Sequence, residues 1–140
     1  DSIQAAVLNA KLPFLDQDNA ARQNAARKYS RAFEGHKNII APMICDVCDC
    51  HVFHQYTLRI VNADRDALMQ HLLDNEIPCA IYYPIPLHSQ KAYLDSRYKE
   101  EDFPITNQLV KEVISLPMHT ELDDEQINFI TKTVLNFFEK

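Results

Sequence analysis

Residues 45–56 read CDVCDCHVFHQY, which places three cysteines and two histidines within twelve positions. Thiolates and imidazoles are the usual ligands of zinc, and paired thiols run redox chemistry. The stretch therefore poses a choice between a metal site, a redox pair and a loop running into a strand. Its spacing is C-x2-C-x-C-H-x2-H, whereas zinc modules separate two ligand pairs by about 12 residues or more. A strand beginning at His51 would alternate its side chains between two faces. His51 would then share a face with Phe53, Gln55, Thr57 and Arg59, and His54 with Val52, Tyr56, Leu58 and Ile60, so one ion could not easily collect both imidazoles. Cys45, Cys48 and Cys50 could still hold a soft metal from a loop, and a solvated loop of free thiols is the plainer alternative. No strand-to-helix turn surrounds Cys45 and Cys48, as a thioredoxin-like pair would need. His54, on an otherwise apolar face, reads either as a hydrogen-bonded core histidine or as a side chain aimed into a pocket.

Residues 80–93, AIYYPIPLHSQKAY, carry a second set of reactive types. Tyr82 and Tyr83 close an apolar run, and on a strand they would face opposite sides, one packing and one presenting its hydroxyl. His88 follows Pro84 and Pro86, which restrict its position at low entropic cost. Loops at strand ends, carried by a rigid scaffold, commonly hold binding residues. An aromatic loop packed on the sheet is the structural alternative.

These residues need a scaffold, and the rest of the sequence predicts one. The 140 residues suit one domain, and 46% hydrophobic residues allow a core without staples. The formal charge is −6 with Lys and Arg scattered, which argues against nucleic-acid binding but leaves room for a small anionic ligand. The only glycine, Gly35, excludes a glycine-rich phosphate loop. No run of about 18 apolar residues predicts a membrane span. The sequence opens on Asp1 without a positive-then-apolar leader, so a processed chain or a piece of a longer one is expected, in a reducing cytoplasm.

Asp1 and Gln4 form a capping box for a helix on Ile3, Ala6, Val7 and Ala10, ended or kinked at Pro13. Ala21, Ala25, Tyr29 and Phe33 mark a second helix, closed at Gly35. Residues 51–61 predict a strand, and Asp64 caps a helix carrying Leu68, Leu72 and Leu73. Residues 79–83 and 114–116 predict short strands, the first stopped by Pro84 and Pro86 and the second by Pro117. Between them Asp102 and Pro104 open a helix on Ile105, Leu109 and Val113. Asp123 and Gln126 cap a last helix on Ile127, Ile130, Val134 and Phe138. The order predicts an α/β layer with a small sheet.

The chain resembles the C-terminal part of the DegT/DnrJ/EryC1/StrS sugar aminotransferases over nearly its whole length. DSIQAAVLNAKL resembles that family's "LD-x-IQAA" helix, HQYTLRI its central small-domain strand, and RDALMQHLLDNEIP its following helix and turn. IYYPIPLH resembles the "HYPxPLH" segment, and FPITNQLVKEVISLPMH the "FPxAExLxxEVLSLPMHP" segment.

The resemblance implies an α/β (α+β) fold with a small three-stranded, mainly antiparallel sheet covered by helices, as in the small domain of fold type I enzymes. Residues 1–34 would form the helical connection from a large domain and residues 51–140 the sheet-and-helix layer. It further implies a cytoplasmic homodimer that uses pyridoxal 5'-phosphate to aminate a nucleotide-linked keto-sugar for surface polysaccharide, with glutamate as donor. The Schiff-base lysine and the coenzyme contacts belong to the family's N-terminal domain, so this chain alone is expected to bind no coenzyme and to be inactive. Tyr82, Tyr83, His88 and His54 are the substrate-binding candidates that carry over. Tyr82 stands where many relatives have His, which removes a group titrating near neutral pH. Glu76 stands where relatives have Gly, and a positive φ there would strain it or Asn75. Two other readings remain: a metal-binding module built on Cys45, Cys48, Cys50 and a histidine, and a free-standing interaction domain.

Overall fold

A computed structural model of the chain describes residues 1–43 and 51–139. Helix α1 (Ser2–Lys11) starts at the expected capping box. The Asp1 carboxylate accepts from the amides of Ile3 at 2.9 Å and Gln4 at 3.0 Å, and the Gln4 side chain reaches back. Pro13 falls in a single 3-10 turn, Leu12–Phe14, after which α2 (Leu15–Ala32) runs on. Gly35 completes the exit of α2 at φ 71°, a conformation where a glycine has no Cβ to clash.

The sheet has three antiparallel strands in the order β1 (Ile39–Ile40), β2 (Tyr56–Ile60), β3 (Val113–Leu116). Ile39 pairs with Ile60, and Tyr56 pairs with Leu116. Along β2, Tyr56, Leu58 and Ile60 are buried while Thr57 and Arg59 turn to the other face. Helices α2, α3 (Arg65–Asp74) and α5 (Asp124–Phe138) close over the buried face with Tyr29, Phe33, Leu68, Leu72, Ile127, Ile130 and Val134. Helix α4 (Pro104–Glu112) lies against β2 from the other side, and Glu112 Oε2 accepts from Arg59 Nε at 2.9 Å and Nη2 at 2.8 Å.

Two phenols sit inside the core and both are satisfied. Tyr29 Oη donates to the Pro117 carbonyl at 3.0 Å, and Tyr56 Oη shares a 2.9 Å hydrogen bond with Ser30 Oγ. Their rings tilt together with centroids 4.9 Å apart. Leaving either hydroxyl unpaired would cost about 1–3 kcal/mol.

Three expectations about elements are corrected, and one strand is added. The strand predicted from 51 begins only at Tyr56, because His51 Nδ1 accepts from the Phe53 amide at 2.9 Å and Phe53 takes φ 47°. That local bond competes with a ladder and reverses the alternation: Phe53 is buried, while Val52 and His54 are exposed. The strand predicted over 79–83 is one bridge, Ala80 to Ser115, between Pro78 and Pro84. Prolines on both sides withhold the donors that a longer ladder requires. Asp102 does not cap α4. Its carboxylate accepts from the Lys99 amide at 2.8 Å in the preceding 3-10 turn, and Val113 opens β3 instead of extending the helix. The pair Ile39–Ile40, too short to show a period, supplies the edge strand.

Candidate functional site

The prolines and hydrogen-bonded turns after Ala80 build the site. Tyr82 and Tyr83 lie at the end of the Ala80 bridge, with their rings edge-to-face at 5.9 Å and 77°. Both are exposed, Tyr83 to 73% and Tyr82 to 47%, so neither ring is spent on the core. Beyond Pro86 the chain winds into 3-10 turns at Leu87–Ser89 and Lys91–Tyr93, with the Ser89 amide on the Pro86 carbonyl at 3.0 Å. A bidentate Arg97–Asp95 pair organises the next bend, and this guanidinium holds the Asp95 carboxyl below the usual carboxylate range.

Three open clefts follow one another along this loop. The first, of 340 Å³, is lined by His54, Gln55, Cys79, Tyr82, Ser115 and His119, among others. The second, of 570 Å³, shares Tyr82 and adds Tyr83, Ile85, Leu87, Thr106 and Leu109. The third, of 330 Å³, shares Leu87 and Thr106 with the second and adds His88, Tyr93, Asp95, Tyr98 and Phe103. The four candidates Tyr82, Tyr83, His88 and His54 thus lie along a segmented trough, three separate clefts joined only by shared lining residues, and they do not converge on one point.

The structure corrects the core-histidine and strand reading of His54 and leaves its cleft-lining alternative. His54 is neither buried nor on a strand. It stands exposed at the mouth of the first cleft, beyond the turn at Phe53. His88 stacks on Phe103 with centroids 4.4 Å apart and an interplanar angle of 16°, and its Nε2 is buried without a hydrogen-bond partner among the described residues. It lines the third cleft and not the first. His119 was missed as a candidate. It follows Pro117 at the exit of β3, and its Nδ1 accepts from the Glu121 amide at 3.2 Å. Cys79 lines the same cleft, with burial pushing its thiol pKa up and keeping the sulfur protonated.

The chemistry of this donor set is hydrogen bonding and aromatic contact. Pyridoxal phosphate requires an amine for a Schiff base and a cradle of donors for its phosphate. No lysine or arginine lines any of the three clefts, so their residues do not fit that coenzyme. Among the described residues no three His, Cys, Asp or Glu side chains gather as metal ligands, and Cys45, Cys48 and Cys50 lie outside the described residues. Among the described residues no helix is long and apolar enough to cross a membrane.

The profile of the DegT/DnrJ/EryC1/StrS aminotransferase family matches residues 1–135. The dTDP-3-amino-3,6-dideoxy-alpha-D-galactopyranose transaminase of Aneurinibacillus thermoaerophilus is 38% identical over 136 residues, covering 96% of this chain and 35% of that protein. The UDP-2-acetamido-2-deoxy-3-oxo-D-glucuronate aminotransferase of Pseudomonas aeruginosa is 35% identical over 136 residues, covering 97% of this chain and 36% of that protein. A crystal structure of a DegT DnrJ EryC1 StrS aminotransferase from Brucella abortus superposes with a TM-score of 0.89 at 33% identity, over 100% of this chain and 36% of that one. The chain therefore spans little more than a third of the length of these relatives.

Proposed function

The chain belongs to the DegT/DnrJ/EryC1/StrS aminotransferase family, whose members are pyridoxal phosphate enzymes, and on that premise we propose that it is the C-terminal small domain of an enzyme that aminates a nucleotide-linked keto-sugar. Glutamate is the amino donor, and the product enters surface polysaccharide. A large N-terminal domain supplies the lysine and holds the coenzyme, which stores the electrons of the broken C–H bond. This chain supplies one wall of the sugar-nucleotide site. Tyr82 and Tyr83 offer phenol hydroxyls to the substrate, His54 an imidazole, and His88 sets the aromatic end of the trough. The assembly is a cytoplasmic homodimer.

The observation that carries this reading is the trough itself, rich in hydroxyl and imidazole groups and free of amines. Such a surface can orient a polar, elongated ligand, but it cannot anchor the coenzyme. The exposed apolar residues of α1, Ile3 at 78% and Val7 at 54%, fit a helix that packs on the large domain through the connection formed by residues 1–34.

A chimera tests the proposal. The matching third of the Pseudomonas aeruginosa aminotransferase is replaced by this chain, and amino transfer from glutamate to the UDP-linked 3-keto uronate is followed by NMR. Transfer is expected, with Tyr82→Phe lowering kcat/KM by about tenfold for one lost hydrogen bond to a charged or strongly polar group. A folded, coenzyme-loaded chimera without transfer refutes the reading. The 140-residue chain given coenzyme, donor and keto-sugar is expected to transfer nothing.

A further inference from the structure

Three side chains with uncommitted hydrogen-bonding atoms, His54, Tyr82 and His119, line the first cleft, and no acidic side chain lines it. In a chain with 20 Asp and Glu against 14 Lys and Arg, that makes the cleft a locally uncharged surface on a net-negative chain. His119 is the fixed member. Its Nδ1 is occupied as an acceptor by the Glu121 amide, so the neutral ring carries its proton on Nε2. A donor that is held by its own turn loses little freedom when it binds. Among the described residues neither the His54 ring nor the Tyr82 hydroxyl makes a hydrogen bond, and both line the same 340 Å³ cleft. Ser115 hydroxyl is already engaged with Thr57 at 2.8 Å, and Cys79 stays a thiol, so neither competes with an incoming acceptor.

We propose that His54, Tyr82 and His119 form an oxyanion subsite, with the Nε2–H of His119 as its preset donor. The ligand group is a phosphate or a carboxylate, because both present the paired acceptor oxygens that such donors favour. The assignment deepens the sugar-nucleotide reading and rests on it for the identity of the ligand, whose diphosphate and uronate carboxylate are the two sources of that chemistry. His119 is thereby a specificity-determining residue.

The experiment is equilibrium binding on the 140-residue chain, labelled for histidine-ring NMR. Uridine diphosphate, which has no carboxylate, is titrated in one arm, and glucuronate, which has no phosphate, in another. Saturable shifts of the His119 and His54 ring signals are expected, with Kd about a millimolar for a lone subsite. A response to the first ligand alone assigns the diphosphate, to the second alone the carboxylate, and to both a general oxyanion site. His119→Phe keeps a ring without a donor and is expected to weaken binding about tenfold. His119→Gln restores a donor and should recover most of the affinity, which separates lost bonding from lost folding. Lys37→Ala removes an exposed cation beside β1, at the opposite end of β2, and should change Kd less than about twofold. No shift with either ligand, or shifts that His119→Phe leaves intact, overturns the proposal. Binding requires no coenzyme, so failure here and failure of the chimera to transfer amino groups are separate outcomes.

Discussion

Glu76 occupies a backbone position that its side chain opposes, and replacing it should stabilise the protein. Helix α3 ends in a Schellman arrangement. The Glu76 amide donates to the Leu73 carbonyl at 3.0 Å and the Ile77 amide to the Leu72 carbonyl at 2.9 Å, while Ile77 and Leu72 are both buried. This closure places Glu76 at φ 60°. A side chain in that region costs about 1–2 kcal/mol, and glycine's greater freedom in the unfolded chain takes back about 0.5–1 kcal/mol. The carboxylate also sits at the negative end of α3, worth a further ~0.3 kcal/mol against it. Among the described residues it makes no hydrogen bond or ion pair, and it is exposed, so nothing is lost with it. Glu76→Gly should therefore add about 1 kcal/mol, close to 4 °C in Tm for a chain of this size. Glu76→Ala relieves only the charge and should add ~0.3 kcal/mol. Urea denaturation followed by circular dichroism, at an unchanged slope, reads both. An alanine variant as stable as the glycine variant would show that the backbone conformation carries no cost.

Two further expectations concern pH. Burial raises the pKa of Tyr29 above the phenol range and that of Tyr56 to about 12, with the Ser30 bond offsetting part of the rise at Tyr56. A raised pKa means that the neutral phenols favour the folded state, so their contribution is whole below the unfolded value near 10. It is lost as pH rises through the folded values. Alkaline titration at the phenolate absorbance should show these two rings ionising only with unfolding, and early ionisation of all six tyrosines would refute it. At the acid end, the Gln108 amide and then the Arg59 guanidinium hold the Glu112 carboxyl below its ordinary value. Its contribution is present above the unfolded pKa near 4.3 and is lost as pH falls through the lower folded one. In Glu112→Gln the urea midpoint should flatten over that acid limb, and an unchanged slope would remove Glu112 from the account.

What the sequence made legible was short-range. The capping boxes at Asp1 and Asp123 and the cap at Asp64 each depend on partners within a few positions, and each is present; the positive φ at Glu76 was raised only by the resemblance to relatives with glycine there, and it too is present. The element types and the α/β layer followed from apolar period for the same reason. The losses came where a local bond or a distant strand decided the outcome. The His51–Phe53 bond delayed the start of β2 to Tyr56 and moved His54 from a buried face to an exposed rim. The Ile39–Ile40 strand exists only because β2 is there to pair with it. The tyrosines and His88 were visible as a loop of reactive types, but their order along three connected clefts was not. His119 went unmarked because its turn gains meaning only beside His54 and Tyr82, which come from other parts of the chain.

The core and the site meet at Pro117. Its carbonyl accepts from Tyr29, a residue of α2, and the next two residues are Met118 and His119 on the wall of the first cleft. A core hydroxyl thus fixes the exit of β3 and the direction in which the turn leaves the sheet. Tyr29→Phe keeps the ring packed and leaves the Pro117 carbonyl without that donor, so the expected loss is about 1–2 kcal/mol. The turn should loosen as well, and anion binding at His119 should weaken although Tyr29 touches no ligand. Tyr82→Phe should do the reverse, lowering affinity while leaving stability within about 0.5 kcal/mol, because its exposed hydroxyl bonds nothing in the fold. Measuring denaturation and histidine-ring shifts on both variants separates the two roles. A Tyr29→Phe protein that loses stability but binds as before would show that the turn holds itself, through the His119–Glu121 bond alone.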